Sequence, residues 1–330
     1  MTATASPESI LELAFAHAAA RALHVVAELG VADYVNDVPR DGKSLAAEVG
    51  AEPDALHRLL RLLETQGLFA RDETGGWAHT ATSRLLRTDH PMSMRGFARM
   101  AGTAFGWDSF TGLGHSARTG EPGISLLEPK GWTAYLQGHA DEATIFQSAM
   151  TAKAHADVQA AITAYDFSRH GRVVDVAGGH GHLLRELIAA HTDLEGVLFE
   201  LPEVAERVQP HRRMQVVSGD FFRDFLPSGD AYVLMNVIHD WDDTAAVSIL
   251  ERVAAAGRPA ESTVLLLEVL MPEGPLAHWA KTLDIVMLAV TGGRERTLPE
   301  YDALLAAAGL ELVGVTPTAT PFSLIEARIR

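Results

Sequence analysis

A chain of 330 residues with 47% hydrophobic and 21% charged side chains has the composition of an ordinary folded protein, with room for a large core and two domains. The formal net charge of −16 argues against a nucleic-acid partner, because phosphate binding needs clustered Lys and Arg. The absence of cysteine excludes disulfides, zinc–thiolate sites and thiol nucleophiles, and it fits a cytoplasmic location.

The opening MTATASPES lacks the basic-then-apolar pattern of a signal peptide. No apolar run is expected to approach the roughly 20 residues that span a bilayer, so no membrane partner is expected. The first hundred residues read as mostly helical. Residues 10–29 are rich in Ala and Leu and nearly apolar all round, a pattern that demands burial. The expected cover is a second subunit; the alternative is the rest of the same chain. Two further helices are predicted over residues 44–48 and 53–63, the second opened by Pro53. A hairpin follows over Leu68-Phe69, Asp72-Glu-Thr-Gly-Gly76 and Trp77. Two short helices and a hairpin form a winged-helix pattern, which invites a DNA-binding reading. Residues 1–100, however, hold ten Lys and Arg against thirteen Asp and Glu. A dimerisation module is therefore the favoured reading.

Residues 101–165 form a second helical block with large side chains, among them Phe105, Trp107, Phe110, Trp132, Tyr135, Phe146 and Met150. Gly120 to Gly123 and Lys130-Gly131 break it into pieces. Aromatic residues at helical spacing are usually core, yet a block between two domains is also where substrate pockets form. Phe105, Trp107, Phe146 and Met150, with Met287 further on, are the candidates for a substrate wall.

From Gly171 the pattern alternates between strand and helix. Apolar runs cover residues 173–176, 197–199, 214–217, 232–238 and 264–270. A helix over 243–256, with Asp243 as its N-cap, is the clearest of the intervening segments. Such alternation predicts an α/β fold with an open parallel sheet and helices on both faces. A helix over 299–308 and two β-like runs, 310–316 and 322–329, follow. Pro321 between the runs points to a terminal hairpin.

The chemistry gathers at the ends of these runs. The stretch RVVDVAGGHGHLL, from Arg172 to Leu184, reads as strand, glycine turn and helix. Glycine belongs there because the backbone bends sharply and lies close to a ligand, although packing alone can also demand it. A dinucleotide fingerprint is not met. The pattern is D-x-A-x-G-x-G, running from Asp175 past Gly178 and Gly179 to Gly181. Glu200, at the tip of the second run and followed by Leu201, is placed to accept hydrogen bonds from ribose hydroxyls. Asp220 can accept from an adenine amino group and Phe221 can cover the ring, or Ser218-Gly-Asp220 is a simple turn.

The fourth run ends in Asn236-Val-Ile-His239-Asp240-Trp241-Asp242-Asp243. A histidine at the carboxyl end of a parallel strand lies where ligands bind, and imidazole is the natural general base near neutral pH. A lone histidine can equally be structural. The neighbouring carboxylates point in different directions, so no metal is expected. Glu268 ends the fifth run, and a later turn reads Gly292-Gly-Arg-Glu295-Arg-Thr297. Two carboxylates brought to His239 would fix its tautomer and stabilise the imidazolium.

Taken together, VVDVAGGHG, FELPEV, SGDFF, NVIHDWDD, LLLEVLMPE and GGRERT, in that order and spacing behind the winged-helix block, resemble the S-adenosylmethionine-dependent O-methyltransferases of the caffeate, hydroxyindole and bacterial polyketide-tailoring type. The resemblance extends from about residue 10 onward. It implies a winged-helix dimerisation domain over 1–100, a helical linker and substrate-pocket segment over 101–165, and a Rossmann-like catalytic domain over 166–330. It further implies a homodimer whose N-terminal helices help close the partner's pocket. S-adenosyl-L-methionine is the implied cofactor, and a small aromatic or polyketide-type hydroxyl the implied substrate. Residue by residue, His239 matches the catalytic base and Glu268 and Glu295 the acidic pair. Gly179 matches the methionine-side turn and Glu200 the ribose ligand. Asp220, Phe221 and Trp241 match the adenine contacts. Asp175, Gly178, Leu201 and Asn236 complete the expected cofactor site. Two departures stand out: Ala177 replaces a glycine, and Met235 stands where plant relatives have a lysine. Relatives that keep fold and cofactor but hydroxylate or decarboxylate, and a winged-helix regulator, are the alternatives.

Overall fold

The computed structural model describes residues 6–36, 38–259 and 261–330. The signal-peptide reading of the first nine residues therefore lies, up to residue 5, outside the described residues. The chain divides into two compact units that interleave in sequence, Met1–Trp107 with Leu136–Lys153, and Asp108–Tyr135 with Ala154–Arg330.

In the first unit, the apolar stretch predicted as one helix is two, Pro7–Ala14 and His17–Glu28, separated at Phe15 and Ala16. Contrary to expectation, Pro7–Glu28 is long and apolar enough, by length and composition alone, to cross a bilayer. Strong helix formers, chosen for packing, raise hydropathy as a by-product. The helix Pro7–Ala14 buries nothing, and Ile10 and Leu13 are 72% and 79% exposed. The helix Pro53–Glu64 shows why the sequence folds locally as it does. Glu52 accepts from the N–H groups of Asp54 (3.1 Å) and Ala55 (2.7 Å), and Pro53 sits where no N–H is needed. Leu56, Leu60 and Leu63 then fall on one buried face. They pack with Val26, Val31, Leu45 and the ring of Trp77. The predicted hairpin is present as β1 (Ala70–Arg71) and β2 (Trp77–Ala78).

The second unit is built on a seven-stranded sheet. Its strands are β3 (Arg172–Val176), β4 (Glu195–Glu200), β5 (Met214–Ser218), β6 (Ala231–Met235), β7 (Thr263–Val269), β8 (Leu310–Pro317) and β9 (Phe322–Ile329). The order is β5-β4-β3-β6-β7-β9-β8, parallel from β5 to β7 and antiparallel through the terminal hairpin. Alternate residues feed two cores, because side chains of a strand point to opposite faces. Val174, Val197 and Leu234 pack with the helices Asp243–Ala256 and Leu298–Ala307. Val173, Leu198 and Val233 pack with the helix His182–Ala190.

The chain leaves β3 for β4 on one side and returns to β6 on the other. That is the switch point at which open α/β sheets bind ligands, at the strands' carboxyl ends. Three boundaries differ from expectation. The fourth strand ends at Met235, not near 238, because Asn236 turns into the left-handed region (φ 55°) and Ile238–Asp240 form a 3₁₀ turn. The N-cap of Asp243–Ala256 is Asp242, whose carboxylate accepts from Ala245 N–H at 2.8 Å; Asp243 is the first helical residue. The helix expected over 299–308 is Leu298–Ala307, capped by Thr297.

Ala177 carries a strained backbone. Its φ is 57°, a region that costs an alanine about 1–2 kcal/mol and a glycine little. Ala177→Gly is therefore expected to raise stability by up to about 1 kcal/mol, after the extra freedom glycine brings to the unfolded chain is counted. Urea denaturation checks it; a clear loss of stability would contradict the strain.

Candidate active site

Beyond β3 the backbone passes through Ala177, Gly178, Gly179 (φ 59°) and Gly181 (φ 73°) into the helix His182–Ala190. Gly178 makes room for the Asp175 carboxylate, since a Cβ there would lie 2.6 Å from Oδ1 and closer still to Oδ2, and the carboxylate would have to shift. Asp175 is buried, and its Oδ2 has no hydrogen-bond partner. Burial first, and then the charge of Glu200, push its pKa up to about 7. A Cβ on Gly179 would meet nothing within 4 Å, so the turn is open there. Glu200, at the tip of β4, accepts from Gly179 N–H at 2.9 Å and from Leu201 N–H at 2.8 Å. Burial raises the Glu200 pKa, and these two backbone bonds oppose the rise.

The turn after β5 brings aromatic rings together. Phe221 and Trp241 lie edge-to-face at 5.9 Å, and Phe222 meets Trp241 at 4.8 Å. Asp220 accepts from Phe222 N–H at 2.8 Å, so its carboxylate does build a local turn.

The turn after β6 carries His239. Glu268, near the end of β7, accepts from the N–H groups of Val237 (3.3 Å) and Ile238 (2.9 Å) and so holds the turn's entry. The His239 ring is buried. Its Nδ1 lies 2.7 Å from Glu295 Oε1 and 3.9 Å from Glu268 Oε2, while Nε2 lies 3.7 Å from Asp240 Oδ1. A carboxylate can only accept, so the proton of the neutral ring sits on Nδ1 and the lone pair on Nε2. Burial disfavours the imidazolium, but Glu268, Asp240 and Glu295 together outweigh it and push the His239 pKa up to about 9. Glu268 is itself raised to about 7, mainly by burial. Among the described residues, no group of three or more His, Asp or Glu side chains is arranged to hold a metal.

A family model described as an O-methyltransferase domain matches residues 110–311, and one described as an O-methyltransferase dimerisation domain matches residues 11–89. The chain belongs to the O-methyltransferase family.

A phenazine O-methyltransferase of Lysobacter antibioticus is 34% identical over 97% of this methyltransferase and 95% of its own length. An 8-amino-8-demethylriboflavin N,N-dimethyltransferase of Streptomyces davaonensis is 33% identical, over 93% and 90%. Among solved structures, an O-methyltransferase from neocarzinostatin biosynthesis, in complex with S-adenosylmethionine and 2-hydroxy-5-methyl naphthoic acid, is 35% identical with a TM-score of 0.79, over 95% of this chain and 96% of that one. The protein is thus an S-adenosylmethionine-dependent O-methyltransferase with a helical N-terminal dimerisation domain and a Rossmann-like sheet.

The other residues singled out in the methyltransferase sequence lie as follows. Asn236 donates its N–H to Leu267 O at 3.1 Å. In the first unit, Phe105 and Phe146 meet edge-to-face at 5.5 Å, Trp107 packs against the buried His24 at 5.2 Å, and Met150 is half-buried. Phe105 and Trp107 stand on a single turn of π-helix, Ala104–Asp108, a form common at functional sites. In the second unit, Met287 is buried with Val269, Leu283 and Phe322.

Two further residues of GGRERT, not marked by the sequence, shape the site. A Cβ on Gly293 would overlap His239 O and lie 2.6 Å from Trp241 N. Arg296 is wholly buried against the same turn. Tyr301, also wholly buried, has its pKa raised by burial first and then by Glu268 and Glu295. Nothing in charge or hydropathy patterning marks these three, since their partners lie tens of residues away.

Proposed function

We propose that this enzyme methylates a hydroxyl of a small aromatic secondary metabolite, with His239 as general base and Glu268 and Glu295 as the carboxylates that orient and charge it. The observation that carries the reading is the 2.7 Å contact from His239 Nδ1 to Glu295, which leaves Nε2 as the proton acceptor. The relatives' naphthoate and phenazine chemistry supports an aromatic acceptor.

The residues present fit the cofactor. Asp175 offers a buried carboxylate oxygen without a partner, beside an open glycine turn. Asp175, Gly178 and Gly179 would hold the amino-acid end of S-adenosylmethionine, and Glu200 with Leu201 the ribose. Asp220, Phe221, Asn236 and Trp241 would line the adenine side. When bound, the cofactor supplies a methyl group already activated on a cationic sulfur. The protein's work is then alignment, exclusion of water and removal of one proton. His239 Nε2 takes the hydroxyl proton as the oxygen attacks. The imidazolium so formed is stabilised by Glu295 at Nδ1 and by Glu268 and Asp240 nearby. Of the candidates for the acceptor's apolar wall, Met287 is assigned that role, since it belongs to the unit that carries His239. The working form is a homodimer through residues 11–89, whose exposed apolar helix needs a cover.

The base works only when neutral, which fixes the direction of the pH dependence. Below the imidazole pKa the Nε2 lone pair is protonated, so kcat/KM should rise about tenfold per pH unit and level off above about 9. In Glu268→Gln, one carboxylate that raises the pKa is gone and the limb should move to lower pH. A wild-type limb near 6.5 that does not move in the variant would overturn the reading. The N,N-dimethyltransferase relative supports one second reading, an amine acceptor. Mass spectrometry of products from matched phenol and aniline acceptors separates the two. Hydroxylation or decarboxylation would instead appear there as gain of oxygen or loss of carbon dioxide.

A further inference from the structure

The segment that brings Glu295 to His239 also brings a guanidinium that proton transfer does not use. Arg296 Nη1 donates to Ile238 O at 3.1 Å and Nη2 to Trp241 O at 2.7 Å. Nε and Nη2 both reach Asp243 Oδ1, at 3.0 and 2.8 Å. The two carbonyls belong to the first residue of the 3₁₀ turn that carries His239 and to the residue just after that turn, and Asp243 opens the helix behind it. The arginine backbone is tied as well. Its carbonyl accepts from Met271 N–H at 2.9 Å, in a parallel bridge with Leu270 just beyond β7. One residue thus spans the turn after β6, the exit of β7 and the start of the helix Asp243–Ala256.

Burying a guanidinium is costly, and the Asp243 side chain that pairs with it is 60% exposed, so the ion pair alone is a weak return. What the planar fork does provide is fixed geometry, with donors directed at two carbonyls and a carboxylate at once. The two carbonyls belong to residues on either side of the base, and one of them is the tryptophan packed against Phe221 and Phe222.

We propose that Arg296 is a positioning residue for methyl transfer, holding Ile238 O and Trp241 O together so that the imidazole of His239 and the indole of Trp241 are fixed in one frame. The inference rests on the roles given above to His239 and Trp241. Lysine can keep the charge but not the three-way geometry. Arg296→Lys therefore disturbs base and indole together, whereas an arginine that serves only folding would lower stability and spare both.

The test uses full-length Arg296→Lys, with Arg296→Gln as a second variant, and thermal midpoints to confirm folding. The His239 imidazole pKa is read by NMR in the ligand-free protein, assigned by the signal missing in His239→Gln. Affinity for S-adenosylhomocysteine is read by calorimetry, and kcat with a saturating acceptor. The expected result in Arg296→Lys is an imidazole pKa lowered toward 6.5, a Kd raised about tenfold and a kcat lowered about tenfold to a hundredfold. Arg296→Gln should shift both readouts further, with lysine giving partial rescue. A folded Arg296→Lys protein whose imidazole pKa and Kd stay at wild-type values overturns the proposal, as does a change in only one of them. The ligand-free pKa does not depend on what His239 does in turnover. A His239→Ala enzyme of normal rate would therefore remove the base reading while leaving the positioning result to stand or fall separately.

Discussion

His239→Ala is expected to lower kcat by about 10²–10⁴-fold while leaving affinity for S-adenosylhomocysteine within about twofold. The size follows from the work assigned to the ring. A phenol loses its proton near pH 10, and a base raised to about 9 by Glu268, Asp240 and Glu295 is well matched to it. Binding should survive because Asp175 stands on β3, Gly179 in the turn after it and Glu200 at the tip of β4, whereas the imidazole is carried by the turn after β6. The substitution also has a charge signature. The imidazolium pulls the Glu268 pKa down, so its removal lets burial and Glu295 raise that pKa further. The folded variant then holds a proton that the unfolded chain releases at neutral pH. Its stability should fall as pH rises through neutrality, the opposite slope to a salt-bridged carboxylate. Single-turnover kinetics, calorimetry and thermal scans at pH 6 and 8 measure the three effects. A variant that turns over at wild-type rate would remove the base assignment.

Gly293→Ala should be nearly as damaging, although residue 293 contributes no functional group. Its added methyl would meet backbone, not a side chain that can swing aside: His239 O, Asp240 C and Trp241 N. The turn and the 292–297 segment must move apart. That breaks the bond from Arg294 N–H to His239 O (2.9 Å) and draws Glu295 from the ring. Overpacking of this kind costs about 1–3 kcal/mol, and a displacement near 1 Å at a reacting group costs on the order of 10²-fold in rate. Both a lower thermal midpoint and a kcat lower by about that factor are expected. Unchanged activity with alanine at 293 would show that the close approach is not needed.

Much of this fold was legible from the sequence, for identifiable reasons. Strands such as β6 and β7 were readable because their apolar runs have few alternatives to burial in a sheet. The end of β6 was misplaced because Val237 and Ile238 extend the apolar run, while Asn236 has already turned the backbone aside. The N-cap was misassigned because Asp242 and Asp243 are both good caps and only geometry separates them. The break at Phe15 and Ala16 leaves no trace in an Ala-rich stretch. Glu268 and Glu295 were legible through their joint occurrence with His239, one at a strand end and one in a later turn, and the structure brings both within 4 Å of the imidazole Nδ1. Gly293 and Arg296 were not found, because what sets them apart is the turn they touch more than fifty positions away.

The interleaving of the two compact units bears on how such enzymes can be recombined. Because residues 136–153 return to the first unit, the chain crosses between units at three places. A fragment starting at residue 154 would lack Gly123, where a Cβ would overlap Ser109 O and lie 3.2 Å from Ala289 O. No single splice separates the two compact units. Chimeras meant to trade acceptor preference between relatives therefore need paired junctions on either side of each excursion.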